Sequence, residues 1–342
     1  METHIAAAYA NLAFVKYWGK RDPLLNIPLN SSISMTLSAA RTETSVMLTP
    51  EESSDTVYIG PNKQPASTSF AARVTAHLDR LRRLAGVSIS ACVITHNAFP
   101  MGAGFASSAS GMAALTVAGA SAFGLNLSEA ELSALARVAS GSACRSIPAG
   151  FVEWEAGTNH NDSFAHQIAP PDYWDIVDVA VVVSAHEKDV PSSEGHQLAL
   201  NSPFWSTRLE TLPHRLEVVR RSILERDFEA FGRELESEAM SMHAVALTSA
   251  YIANGIWRSG IYYILPDTLE IMAAVQAWRA HGLPVYFTLD AGPTVHLITR
   301  QPFVSDVTGA VRKLEAQRSE RQWQFFVSHP APGARLISVT SN

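Results

Sequence analysis

The uncharged stretch Phe99-Pro100-Met101-Gly102-Ala103-Gly104-Phe105-Ala106-Ser107-Ser108-Ala109-Ser110-Gly111 constrains this chain more than any other. It follows a predicted strand, Val87 to His96, and leads into a small-residue helical run, Met112 to Phe123. A proline opens it, and glycines, serines and alanines fill most of the rest, so the chain must turn here before the helix begins. Such a turn delivers backbone N–H groups to a helix N-terminus, where unpaired donors and the positive end of the helix dipole favour an anion. Gly102 and Gly104 allow positive φ and let a phosphate reach the backbone without meeting a Cβ. Ser107 and Ser108 can cap the helix, contact phosphate or ligate magnesium. By composition the same residues also suit a Gly-rich connector ahead of an Ala-rich core helix.

A core for such a helix is available. Of the 342 residues, 47% are hydrophobic and 17% charged, values of a globular chain with one large or two medium domains. The formal net charge of −6 argues against a nucleic-acid partner, which calls for a basic surface. Cys92 and Cys144 form neither a disulfide framework nor a zinc spacing, which fits a reducing cytoplasm. The N-terminal residues hold an acid and no basic region, so no signal peptide is expected. No apolar run reaches the roughly 18–20 residues of a membrane span; Ala113 to Leu125 comes nearest and contains Gly119 and Ser121.

Along the chain, residues 5–15 read as a buried strand or strand pair. Residues 28–37 alternate from Ser32 onward, with Ile33, Met35 and Leu37 towards a core and Ser32, Ser34 and Thr36 opposite. Thr44 to Leu48 and Thr56 to Ile59 read as further strands. Thr68 to Ala85 is a helix with Arg73, Arg80, Arg82 and Arg83 on a solvated face. A helix starts after Ser128, with Glu131 at the capping-box position, and runs to about Ala139. Ile176 to Ser184 is a buried strand. Residues 186–196 form a polar, Gly/Pro-punctuated candidate mobile loop. Helices follow over about 203–226 and 227–246, then an aromatic, irregular segment at 249–264. A helix capped by Asp267 runs to Ala280, strands cover Val285 to Leu289 and Val295 to Thr299, and a helix (about 303–317) and a last strand (Trp323 to Val327) close the domain.

Besides the opening stretch, three segments and Asn11 carry candidate chemistry. Lys16-Tyr17-Trp18-Gly19-Lys20-Arg21 packs cations and aromatics directly after an apolar strand, as an anion-binding rim or a solvated turn. Asn11 lies within that strand, where a polar amide is usually satisfied internally. The loop Ser140-Gly141-Ser142-Ala143-Cys144-Arg145-Ser146 presents one arginine, suited to bidentate carboxylate or phosphate recognition or to stapling two loops. Asp290-Ala291-Gly292-Pro293 ends a strand with an acid that is either a turn-former or a carboxylate aimed into a cleft.

These segments, together with Asn30-Ser31-Ser32-Ile33-Ser34 and Phe99 to Ser108, occur in one order and spacing, and over nearly its whole length the chain resembles the mevalonate diphosphate decarboxylases of the GHMP small-molecule kinase superfamily. The resemblance implies an α/β (α+β) GHMP kinase fold. Residues 1–184 would form the ATP-binding, ribosomal-protein-S5-like half and residues 185–342 a ferredoxin-like half. It also implies a cytoplasmic homodimer that uses ATP and Mg2+ and acts on a phosphorylated mevalonate. The implied roles are catalytic for Asp290, Lys16 and Arg145. Asn11, Tyr17, Lys20, Ser140, Ser142, Ser192 and Ser193 would hold the substrate. Pro100, Gly102, Ala103, Gly104, Ser107, Ser108 and Lys188 would hold the nucleotide, with Ser108 at the metal. The chain departs from the family pattern at Thr294, at Met101-Gly102-Ala103-Gly104-Phe105, at the acidic Glu194 and across 249–264. Three activities therefore remain open: decarboxylation of mevalonate 5-diphosphate, decarboxylation of mevalonate 5-phosphate, and a kinase reaction without decarboxylation.

Overall fold

A computed structural model describes residues 2–99, 107–184, 186 and 188–341. Two main sheets, the helices between and outside them and two small two-stranded pairings, Lys20–Asp22 with Ile27–Pro28 and Tyr251–Ala253 with Ile256–Arg258, build it. Among the described residues the larger sheet has eight strands. Its main path runs Arg335–Ser341, Glu2–Val15, Ser32–Leu48, Ala91–Asn97, Thr56–Ile59 and Gln64–Pro65; Phe151–Trp154 branches from Ser32–Leu48 and pairs with Ala165–Ala169. All pairs are antiparallel except Thr56–Ile59 against Ala91–Asn97. Four antiparallel strands form the smaller sheet, in the order Tyr286–Thr288, Val295–Arg300, Ile176–Val182 and Gln324–Ser328.

Ser32–Leu48 is one bent strand and not two. Opposite it the register jumps from Tyr9↔Arg41 to Asn11↔Thr36, so the half before the bend pairs with Phe151–Trp154 and the half after it with Ala91–Asn97. Its expected polar face is buried as well. Thr36 Oγ1 donates to the Ala331 carbonyl at 2.6 Å, Ser32 receives Arg145, and Ser34 is also inaccessible. The segment before the C-terminal strand fills the bend: Ser38 N–H donates to the His329 carbonyl, and Ala331 N–H donates to Thr36 Oγ1.

The helix Ser107–Ala122 lies on one face of the larger sheet and is buried nearly all round, as an apolar helix without a polar face must be. Its core holds Ala6, Ala8, Val46, Val93, Met112 and Ala118, together with Val74, Leu78 and Leu81 from the helix Thr68–Ala85. The sheet's other face packs on the helices Trp205–Glu225 and Phe228–Thr248, through Phe14, Ile33, Met35, Leu37, Leu212, Val219 and Phe231. Strand Ile176–Val182 is covered on both faces: Ile176, Ala180 and Val182 enter that core, and Val177, Val179 and Val181 enter a third one with Ile271, Val275, Leu297 and Val311. Period-2 alternation thus splits one apolar run between two cores.

Several expectations are corrected. Arg82 does not lie on a solvated face; it pairs with Asp55 and Asp79 and donates to the Ile89 carbonyl. Asp267 is not the cap of its helix, which runs Pro266–Ala280 behind Leu265; Asp267 instead receives Arg321 and Trp323 Nε1. The irregular segment contains a hairpin, Tyr251–Ala253 against Ile256–Arg258, around Asn254-Gly255, both at positive φ. Residues 192–198 of the candidate loop are helical. The strands Ala165–Ala169 and Arg335–Ser341 were not expected. The capping box at Ser128 and Glu131 is present as read. No helix among the described residues is long and apolar enough to cross a membrane.

Candidate active site

Lys16 is the first residue beyond the long strand Glu2–Val15, and it is 2% exposed. Its Nζ donates to Asp290 Oδ1 at 2.8 Å and also to the Ala13 carbonyl. Asn30 Nδ2 donates to the Lys16 carbonyl at 3.0 Å. Asp290 stands on the loop between Tyr286–Thr288 and Val295–Arg300. Gly292 has φ +74° there, and a Cβ would sit 2.6 Å from the Tyr263 carbonyl oxygen, so both backbone and space require glycine. His243, on the helix Phe228–Thr248, holds the Asp290 carbonyl through Nε2 at 2.9 Å. The Asp290 side chain keeps about a third of its surface accessible, at 31%.

Burial by itself would raise the Asp290 carboxyl; Lys16 first, then His296 and Arg145, outweigh it and hold the group below the usual carboxylate range. Burial pushes the Lys16 ammonium down, against the pull of Asp290 and Glu238. The arrangement is an ion pair in a cleft wall, with the carboxylate as its open side.

Arg145 comes from the 3-10 turn Gly141–Ser146 that follows the helix Glu129–Ala139. Its Nε donates to Asn11 Oδ1 at 3.1 Å, its Nη1 to Ser32 Oγ at 2.7 Å, and its guanidinium lies over the Trp154 ring. Nη2 makes no hydrogen bond among the described residues. Asn11 is fully used inside the protein, because its Nδ2 also holds the Ser142 carbonyl and Ser146 Oγ. The arginine ties its turn to two strands and not to a second loop, and it keeps one edge of its fork.

Tyr17 packs against Trp154 and His196, and its buried hydroxyl has no hydrogen-bond partner among the described residues. Gly141 lies against that hydroxyl. Lys20 Nζ reaches Asn26 Oδ1 at 2.7 Å, and burial pushes its ammonium down. Ser140 Oγ donates to Ser108 Oγ at 3.4 Å, which brings the second Gly/Ser loop to the start of the helix Ser107–Ala122. Ser107 and Ser108 thus stand at a helix N-terminus, with Ser108 exposed. Pro100, Gly102, Ala103 and Gly104 lie outside the described residues. Lys188 sits over the Tyr263 ring; burial lowers its ammonium and nearby Asp290 opposes this. Ser192 and Ser193 are exposed at the start of their short helix and make no side-chain hydrogen bond among the described residues.

Sequence reading missed four groups around these. His196 is stacked between Tyr17 and Trp18 and accepts from the Gly19 N–H at 3.0 Å. Burial first, then Lys20 and Arg145, push this imidazole down to about 3. Its neighbour Gly195 lets the short helix approach, since a Cβ there would lie 2.5 Å from Tyr263 Oη. His243, Glu238 and Arg208 are the others. Each lies on a long helix with ordinary amphipathic spacing, where nothing distinguishes it from a solvated polar residue.

For a metal, Glu153, Glu155 and His166 have suitable spacing among the described residues. Arg220 takes both Glu153 oxygens, at 2.7 and 2.6 Å, so that cluster is an ion pair joining a strand to a helix. The hydroxyls of Ser107, Ser108 and Ser140 at a helix N-terminus are instead a donor set that suits a phosphate chain and its cation.

The family model described as the diphosphomevalonate decarboxylase-like N-terminal domain matches residues 8–165, and that of the mevalonate 5-diphosphate decarboxylase C-terminal domain matches residues 179–338. Diphosphomevalonate decarboxylase of Candida albicans is 36% identical over 351 residues, covering 98% of this chain and 94% of that one. The Saccharomyces cerevisiae enzyme of the same name is 39% identical over 314 residues, covering 86% and 77%. The structure of mevalonate diphosphate decarboxylase from Staphylococcus aureus has a TM-score of 0.89 at 34% identity and covers 99% of both chains. A complex of MDDEF with MVAPP, AMPPCP and magnesium has a TM-score of 0.87 at 33% identity, covering 98% of this chain and 99% of that one.

Proposed function

Because the chain belongs to the diphosphomevalonate decarboxylase family and has its mixed α/β GHMP kinase fold, we propose that it is an ATP-dependent decarboxylase of mevalonate 5-diphosphate. The observation that carries this reading is the Lys16–Asp290 ion pair with the Arg145 guanidinium close enough to act on both of its charges. ATP with Mg2+ supplies the phosphoryl group that turns the tertiary 3-hydroxyl into a leaving group, after which phosphate and CO2 depart to give isopentenyl diphosphate.

This chain's residues divide the remaining work. Asp290 orients the 3-hydroxyl and accepts its proton, and Lys16 keeps the carboxylate ionised for that task. Arg145 takes the substrate carboxylate on Nη2 while Asn11 and Ser32 fix the rest of its fork; Asn11 acts through the arginine. Tyr17, Lys20 and the Ser140–Ser142 loop receive the phosphorylated end, for which the unpartnered Tyr17 hydroxyl is an available donor. The stretch from Pro100 through Gly102, Ala103 and Gly104 to Ser107 and Ser108, together with Lys188, would hold the nucleotide, and Ser108 would be a ligand of its Mg2+. The short helix with Ser192 and Ser193 covers the phosphates and excludes water. Residues 1–184 and 185–342 serve as the ATP-binding and second halves, the first lending Ile176–Val182 to the smaller sheet and the second lending Arg335–Ser341 to the larger. The reading extends to a cytoplasmic homodimer: both cysteines are free, and Ile252, Ile256, Trp257 and Tyr262 expose apolar surface.

One observation favours a second reading, mevalonate 5-phosphate as substrate. Lys20 lies near a buried, neutral His196, and Glu194, two residues before it on the same short helix, would oppose a distal phosphate that reached it. Purified protein given ATP and each substrate, with CO2, phosphate and ADP measured, separates the possibilities. A kcat/KM higher on the diphosphate supports the first reading. Preference for the monophosphate by more than about tenfold, ~1.4 kcal/mol of transition-state discrimination, replaces it with the second. ADP formed without CO2 identifies a kinase instead.

A further inference from the structure

Lys16 is gripped by its backbone as firmly as by its side chain. Its N–H donates to Glu238 Oε1 at 2.9 Å, and its carbonyl accepts from Arg208 Nη2 at 3.3 Å. These two side chains are themselves a bidentate pair, Nη2 to Oε1 at 2.6 Å and Nη1 to Oε2 at 2.9 Å. Arg208 belongs to the helix Trp205–Glu225 and Glu238 to Phe228–Thr248, and both are buried. An ion pair in such surroundings is a poor device for merely joining two helices, because apolar residues of the same volume do that as well or better. The strand Glu2–Val15 has ended at Lys16, so its peptide groups need partners from elsewhere.

We infer that Glu238 and Arg208 are positioning residues for Lys16: the pair grips both backbone polar groups of Lys16 and so fixes the backbone from which the lysine reaches Asp290. This rests on the reading of Lys16 and Asp290 as the reacting pair. The groups facing Lys16 are Asp290 from its loop, Glu238 and His243 from one helix, Arg208 from the other and Arg145 from the 3-10 turn. Asp290 and Glu238 favour its ammonium; burial, the largest influence, and Arg145 oppose it. Without the Glu238 charge, Lys16 loses its proton at lower pH.

The test is the pH profile of kcat for Glu238→Gln and Arg208→Lys in the full chain, beside the titration of the Lys16 13Cε resonance in lysine-labelled protein. Glu238→Gln keeps an acceptor for the Lys16 N–H and removes the charge. Its expected behaviour is a kcat about tenfold lower, KM for ATP within about twofold, and an alkaline limb moved down by at least about half a pH unit, matched by the Lys16 resonance. Arg208→Lys keeps the charge but cannot bridge both Glu238 oxygens and the Lys16 carbonyl. In that variant kcat falls about tenfold while the alkaline limb stays in place. If Glu238→Gln does not fold, the Arg208→Lys kcat decides. Folded variants that lose thermal stability but keep the wild-type kcat and Lys16 titration overturn the inference. Wild-type protein that releases no CO2 from either phosphorylated mevalonate overturns the reading of the site instead, and the Lys16 resonance still tests the pair.

Discussion

Asp290 accepts from Lys16 while His243 pins its carbonyl, so its carboxylate is presented to the cleft in one orientation. Asp290→Asn keeps the shape and removes both the charge and the proton acceptor. We expect kcat to fall by at least about 10²-fold with nucleotide affinity retained, measured by CO2 release and by titration with a non-hydrolysable ATP analogue; turnover near wild type would remove Asp290 from its role. Since Lys16 holds this carboxyl below the usual range, activity should not follow an Asp290 titration between pH ~5 and ~7. Arg145→Lys replaces a fork by a point charge that cannot serve Asn11, Ser32 and a carboxylate together. A loss of about 10- to 100-fold in kcat/KM is expected, and unchanged kinetics would leave the arginine as a structural tie between its turn and two strands. These residues were legible because a charge inside a small-residue or apolar segment stands out. Glu238 and His243 were not, because charged and polar residues at helical spacing look solvated until the partner element is known.

At the level of elements, local chemistry was readable and long-range cover was not. The Ser128 capping box was read from four adjacent residues, and the hairpin at Asn254-Gly255 carried an equally local signal that aromatic neighbours obscured. The polar face of Ser32–Leu48 looked solvent-facing, because its cover comes from residues 329–331, almost 300 positions away. The helix Phe228–Thr248 shows how one element transmits this dependence, since it carries Glu238 and His243 and rests on the strand that leads to Asp290. Contact there requires Gly232, where a Cβ would lie 2.0 Å from Cδ2 of Tyr286. Gly232→Ala must push the helix away from the ring. Overpacking of this kind costs about 1–3 kcal/mol, so a lower urea midpoint is expected together with reduced kcat. A variant with wild-type midpoint and kcat would mean that the ring swings aside without moving the helix.

Across the whole molecule, His77, His196 and His243, three of the buried histidines, join elements that are distant in sequence. His77 Nε2 bonds Thr116 Oγ1 between two helices, His196 accepts from the Gly19 N–H, and His243 holds the Asp290 loop. Burial is the largest cause in each case, pushing His77 and His196 to about 3 and His243 to about 4, all from 6.5. The unfolded chain therefore binds protons at these sites below pH ~6.5 that the folded chain refuses until pH ~3–4. The sign follows from the depressed folded values: stability is full above pH ~6.5 and falls as the pH is lowered towards ~4. Each neutral histidine contributes a slope of up to about 1.4 kcal/mol per pH unit. Urea unfolding from pH ~7.5 to ~4.5 should show this loss, and His77→Gln, far from the cleft and still able to bond Thr116, should reduce the slope by about one proton while leaving kcat at pH ~7.5 unchanged. A wild-type urea midpoint that stays flat below pH ~6.5 would show that water or a shifted partner accommodates the imidazolium ions, and that these histidines do not make the fold acid-sensitive.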